Sequence, residues 1–183
     1  MVLPWWMTLG IIVFLGTMAW GGLLAAPWLP MPKADVRRML ALAGLGRGEL
    51  LYDLGCGDGR ILAAAARLGA PAIGFEVSLL PYLLAWGRIL GAGQWRRAKV
   101  RYRNFFNRSL SDAAVVTTFL TPRAMVKLGP KLAAELRSGA RVVSYAFPIV
   151  GWQPSAVSKP TPTSVAIYRY DIGGVTNQPG QKI

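Results

Sequence analysis

The segment Leu50–Arg60, LLYDLGCGDGR, constrains this chain more than any other. A short apolar run stops at Asp53, and Gly55, Gly57 and Gly59 then occupy alternate positions. A buried strand followed by a glycine turn that opens a helix points the helix's first amides at a ligand. In a parallel α/β sheet such turns lie at the carboxyl ends of the strands, where nucleotide-like cofactors bind. Spacing narrows the choice. A dinucleotide fingerprint needs G-x-G-x-x-G, and Arg60 stands where its third glycine should be. A phosphate loop needs G-x-x-x-x-G-K-[ST], which is absent.

The rest of the chain alternates strand and helix patterns, which argues for a parallel sheet flanked by helices. Strands are expected over 50–54, 71–77, 99–103, 113–120, 140–147 and 164–171. Helices are expected over 59–69, 78–92 and 122–137. Ser78 suits an N-cap, Pro122 suits the first helical position, and Gly129-Pro130 predicts a kink. Upstream, residues 34–45 read as an amphipathic helix with Val36, Met39, Leu40 and Ala43 on one face.

No residue from Met1 to Pro32 carries a charged side chain. A helix from Trp5 to Trp28, at about 1.5 Å per residue, is long enough to cross a hydrocarbon core of about 30 Å. Trp5, Trp6 and Trp28 stand where interfacial aromatics belong. The apolar run is too long for a signal peptide and lacks a basic n-region, so it reads as a retained transmembrane anchor. Lys33, Arg37 and Arg38 follow it and predict a single-pass topology with the domain on the cytoplasmic or equivalent side. Thr17 with Gly21, and Gly22 with Ala26, are small-xxx-small pairs that would permit self-association of this helix. The expected organisation is an anchor and Pro-rich linker over 1–32, a folded domain over 33–172 and a flexible tail over 173–183.

The whole net charge of +13 lies beyond residue 32, nearly all of it in the domain. Such a surface expects an anionic partner. Arg96, Arg97, Lys99, Arg101, Arg103 and Arg108 cluster around the third strand, as edge protection, as a contact for anionic lipid, or as both. An anchored domain has restricted access to nucleic acid, which is not the expected partner. The chain has one cysteine, Cys56, and no histidine. That excludes an intramolecular disulfide, a Ser-His-Asp triad and any histidine-containing metal site.

The YDLGCGDGR loop resembles the first motif of the seven-stranded S-adenosylmethionine methyltransferases. The resemblance implies a Rossmann-like α/β fold with strand order 3-2-1-4-5-7-6 and S-adenosyl-L-methionine as cofactor, leaving as S-adenosyl-L-homocysteine. It places the loop, Gly55, Cys56, Gly57, Asp58 and Gly59, against the methionine part, with Asp53 near its amino group. Glu76, closing the second strand, would accept hydrogen bonds from the ribose hydroxyls. Asn104 falls where the family usually has an Asp at the adenine amino group, and Phe105 and Phe106 would flank the ring.

LPMPKADVRRMLALAGL, FLTPRAMVKLGPKLAAELRSGARVVSYAFP and Trp152 narrow the resemblance. They are similar to the membrane-anchored lysine N-methyltransferases that act on the c-type ring protein of ATP synthase and on the adenine nucleotide translocase. This implies methyl transfer to a lysine of a membrane or membrane-associated protein. Thr121 and Pro122 would shape the loop beside the methyl group, and Tyr145, Phe147 and Trp152 would wall the acceptor channel. Methylation of a lipid head group or another membrane-associated small molecule, and a catalytically silent cofactor-binding scaffold, are the alternatives.

Overall fold

The computed structural model describes residues 3–12, 16 and 29–173. Residues 5–12 are helical (α1). Among the described residues no helix is long and apolar enough to cross a membrane. Most of the expected span, at 13–15 and 17–28, lies outside the described residues, as does the tail from 174.

From residue 33 the chain follows the expected alternation. Its strands are β1 (Leu51–Leu54), β2 (Ala72–Glu76), β3 (Ala98–Tyr102), β4 (Val115–Thr118), β5 (Arg141–Tyr145), β6 (Ala156–Ser158) and β7 (Ile167–Asp171). The helices are α2 (Lys33–Ala43), α3 (Arg60–Arg67), α4 (Leu79–Gly91) and α5 (Pro122–Glu135), with a 3-10 turn at Phe105–Asn107. They build one seven-stranded sheet in the order β3-β2-β1-β4-β5-β7-β6. β1 to β5 run parallel, and β7 runs antiparallel to both β5 and β6. This is the Rossmann-like strand order that the resemblance implied.

Each face of the sheet has its own apolar core. Val36, Met39, Leu40, Ile61, Leu62, Val143 and Ile167 pack on the side of α2 and α3. Tyr52, Phe75, Val116, Met125, Leu128, Leu132, Val142 and Tyr170 pack on the side of α5. β1 is buried at every position because it is central and covered on both faces.

Several local details differ from the sequence reading. β6 is a three-residue strand that was not expected; SAVS is too short and too polar to show a period. α2 stops at Gly44, whose φ of 59° ends it two residues early. α5 ends at Glu135, two residues short of the expected 137, with Pro130 inside it. Ser78 occupies the N-cap of α4, but its side chain does not cap the helix. The basic cluster is also split. β3 is an edge strand, and side chains alternate between its faces. Ala98 and Val100 pack into the core beside α3, so Lys99, Arg101 and Arg103 project toward the opposite face, while Arg96 and Arg97 lie in the turn after α4.

Candidate active site

Parallel strands β1, β2 and β4 deliver their carboxyl ends to a common rim, and a cleft of about 840 Å³, counting space open to solvent, lies there. Eight of the expected cofactor residues line it: Asp53, Gly55, Cys56, Gly57, Asp58, Glu76, Asn104 and Phe105.

The glycine spacing has a mixed cause. Gly55, Gly57 and Gly59 have φ of 76°, 53° and 71°, the left-handed region that a side chain disfavours. At Gly59 a second constraint acts: an added Cβ would lie 2.9 Å from the Ala85 Cβ and 3.1 Å from its Cα. The third glycine therefore admits a neighbouring helix, and it does not line the cleft.

Asp53 is the penultimate residue of β1 and is buried. Its Oδ1 accepts from the Thr117 hydroxyl at 2.9 Å. Its Oδ2 is buried with no hydrogen-bond partner. Burial pushes its carboxyl up to about 7; the charges of Glu76 and Asp58 add to this and Thr117 opposes it. Glu76, at the end of β2, accepts from the amides of Val77 and Ser78, both at 2.8 Å, and of Gly57 at 3.0 Å. Burial still outweighs these bonds and raises its pKa.

Asp58 behaves differently. Arg60 and Arg88 both grip its carboxylate, at 2.6 and 2.7 Å, and Arg88 also donates to its carbonyl at 2.8 Å. Burial raises its pKa, but these two arginines overcome that and hold it below the usual range. Its carboxylate braces the loop beside the cleft. Cys56 likewise turns its thiol into the core: a Cβ at Gly74 would meet its sulfur at 2.6 Å. Burial pushes that thiol up, with Asp53 adding to the effect, which disfavours the thiolate.

Asn104 accepts from the Phe106 amide at 2.9 Å and so starts the 3-10 turn that presents Phe105 and Phe106. The two rings lie 4.4 Å apart. The acceptor side departs from expectation. Thr121, Pro122, Tyr145, Phe147 and Trp152 do not line the cleft; Phe119 and Leu120 do. Thr121 caps α5 through Ala124, and Pro122 begins that helix. Tyr145 packs edge-on against Phe119 at 4.8 Å and donates its hydroxyl to Asp35 at 2.6 Å. Phe147 is partly exposed, and Trp152 is buried against Tyr170 at 5.7 Å. Trp152 is thus a core residue, because its ring covers Gly129 of α5.

Leu29, Pro30, Met31 and Arg103 also line the cleft and were not singled out as site residues. Met31 is buried, and its carbonyl accepts from Arg60. The segment read as a spacer is part of the wall. Phe119 and Leu120 had a signal that went unused, since they end a parallel strand beside Thr121.

These residues fit the expected cofactor. A zwitterionic amino-acid end brings an ammonium, and Asp53 Oδ2 is a buried acceptor without a donor. Glu76 brings a second carboxylate for hydroxyls, and the Phe105–Phe106 pair an aromatic wall for a base. Among the described residues no group of side chains could hold a metal ion.

A family model described as the ANTKMT methyltransferase domain matches residues 53–156. The chain is 40% identical to a protein-lysine N-methyltransferase of Saccharolobus islandicus (strain REY15A), over 80% of this chain and 94% of that one. It is 38% identical to the mouse adenine nucleotide translocase lysine N-methyltransferase, over 82% of this chain and 65% of that protein. It is 35% identical, over 70% of its own length, to the mouse lysine N-methyltransferase named for the ATP synthase c-subunit, and spans about half, 51%, of that protein. Among solved structures, an RNA methyltransferase from Salinibacter ruber in complex with S-adenosyl-L-homocysteine superposes with a TM-score of 0.77 at 34% identity, over 84% of this chain and all of that one. With the glycine loop, the two buried carboxylates and the strand order already in place, these matches establish that the chain belongs to the ANTKMT family of S-adenosylmethionine-dependent methyltransferases.

Proposed function

We propose that this enzyme methylates the Nζ of a lysine on a membrane or membrane-associated protein. The observation that carries the reading is the pairing of an unanswered buried carboxylate oxygen on Asp53 with relatives named for protein-lysine methylation. S-adenosylmethionine, when bound, supplies an electrophilic methyl group on a sulfonium. Asp53 would hold its ammonium, Glu76 its ribose hydroxyls, and Asn104, Phe105 and Phe106 its base.

The chain's own residues then align the acceptor and exclude water. Phe119 and Leu120 form the wall from which the acceptor would approach, with Tyr145 backing Phe119 and the Thr121-Pro122 cap fixing the next turn. A lysine with a pKa near ~10.4 needs roughly 4–5 kcal/mol to lose its proton at pH 7. An apolar wall and nearby cations both reduce that cost. Phe119 and Leu120 supply the apolar wall at this cleft and Arg103 a cation, while Arg60 is paired with Asp58.

The membrane location rests on the uncharged stretch from Met1 to Pro32, bracketed by tryptophans and followed by Lys33, Arg37 and Arg38. Anchoring raises the effective concentration of a membrane target. The domain would face the cytoplasmic or equivalent side.

The Salinibacter relative supports a second reading, methyl transfer to RNA. Incubating the purified protein with methyl-labelled S-adenosylmethionine and cell extract separates these readings. Label recovered as methyllysine in the membrane-protein fraction is the expected result. Label confined to RNA or to lipid refutes the lysine assignment.

A further inference from the structure

Helix α4 lacks the polar outer face that a surface helix normally carries. Its buried stripe is Pro81, Ala85 and Ile89, each four residues from the next. At about 100° per residue, the opposite arc carries Leu79, Leu80, Leu83, Leu84, Trp86 and Leu90. Leu83 is 51% exposed, Leu84 40%, Trp86 55% and Leu90 43%. The only charge of the helix, Arg88, is committed to Asp58. Single exposed apolar residues are ordinary, but a contiguous set marks a contact surface.

The rim of this patch is cationic. Trp95 is exposed just beyond α4, with the Arg96 guanidinium 5.0 Å over its ring and Arg97 exposed beside it. On the same side of the sheet, the groove between α2 and α3 is lined by Lys33, Arg37 and Arg67 together with Leu40, Leu45 and Leu68. No carboxylate lines that groove. Asp35 of α2 is taken by Arg38 and Tyr145.

We propose that the outer face of α4 and the Trp95–Arg97 turn dock in the headgroup layer of an anionic bilayer. Leucines and tryptophans enter the acyl boundary while the flanking cations meet lipid phosphates. Thirteen residues make a helix of roughly 20 Å, too short to span, so it lies in the plane. The chemistry disfavours a second copy: a two-fold pairing would set these cationic rims against each other with no acid to answer them. Val77 and Ser78, at the start of α4, line the cleft, so docking holds the cleft mouth close to the bilayer. The surface deepens the membrane location proposed above and rests on it.

The test uses the full chain. Cys56 is the sole cysteine and is buried, so an introduced cysteine is labelled selectively. An environment-sensitive fluorophore goes on Trp86→Cys, and a control on Val126→Cys, 56% exposed on α5 across the sheet. The protein is bound to phosphatidylcholine–phosphatidylglycerol vesicles carrying a shallow quencher lipid. Quenching at position 86 should exceed that at 126 at least about three-fold, and the excess should shrink in pure phosphatidylcholine. Equal quenching at both positions overturns the docking surface. An alkaline wash reads the anchor separately: protein that washes off contradicts the anchor, while the quenching ratio before the wash still reports on α4. Quenching that follows protein density rather than anionic lipid content identifies a second copy as the occupant and also overturns the proposal.

Discussion

Cofactor affinity should rise with pH up to about 7, with Asp53 as the cause. The carboxyl is pushed up to about 7, first by burial and then by Glu76 and Asp58, while Thr117 opposes the shift. A cationic ammonium needs the ionised form. At pH 5.5 the empty site therefore spends free energy releasing a proton before it can bind. With a pKa of about 7, affinity falls about 25-fold between pH 7.5 and 5.5, or ~1.9 kcal/mol. Glu76, also raised, can only steepen this trend. The chain has no histidine, so no side chain with an ordinary pKa in this window competes. The sign for stability is opposite. A raised carboxyl favours the protonated fold, so its contribution is complete below the ordinary value of 3.8 and is lost as pH rises through about 7. Isothermal titration with S-adenosylhomocysteine at several pH values measures the first effect. Asp53→Asn should bind weakly and lose most of the pH dependence. Affinity that stays flat or falls from pH 5.5 to 7.5 in the native protein would refute the assignment of the ammonium to Asp53.

Glu76→Ala should weaken cofactor binding by about 1–3 kcal/mol, read by the same titration, because it removes a buried acceptor and frees the Gly57 amide. Gly59→Ala should cost about 1–3 kcal/mol of stability in chemical denaturation, since a left-handed φ and a 2.9 Å approach to Ala85 both oppose it. Arg60→Met should reduce cofactor affinity more than stability. Asp58 keeps Arg88 as partner, whereas the Met31 carbonyl loses its tie to the loop; an unchanged affinity would show that the linker wall is immaterial. Tyr145→Phe should destabilise the fold by about 1 kcal/mol through loss of the Asp35 bond while leaving cofactor affinity unchanged.

Residues whose role is set by the end of a strand were legible. Asp53 and Glu76 each stop an apolar run in a parallel sheet, and the two acids meet at the cleft as that placement requires. Residues whose role depends on distant partners were not. Asp58 looks like a ligand contact in DGR, but its carboxylate is gripped by Arg88, thirty positions away in sequence. Phe119 and Leu120 read as ordinary strand core, and only the sheet shows that they border the cleft. Trp152 shows the converse: an aromatic after a strand suggested a channel wall, yet packing on Tyr170 and α5 takes it. Met31 sits in a Pro-rich stretch whose composition describes a spacer, and its burial comes from contacts with the folded domain.

The distribution of the acids explains why a basic chain has an acidic cleft. The sequence holds eight Asp and Glu against twenty-one Lys and Arg. Asp35, Glu49, Asp58, Glu135 and Asp171 each pair with a cation, and Asp112, which is exposed, accepts from Tyr52. Asp53 and Glu76 have no ion pair among the described residues, although both are buried and cations are in excess. Leaving a carboxylate buried and unpaired is costly, and many arginines were available to relieve it. The two buried acids that forgo a protein cation both face the cleft, where an incoming ammonium and ribose hydroxyls would satisfy them. Affinity for the cofactor and tolerance of an uncomfortable empty site are thus one arrangement, and ligand binding should stabilise the fold through it.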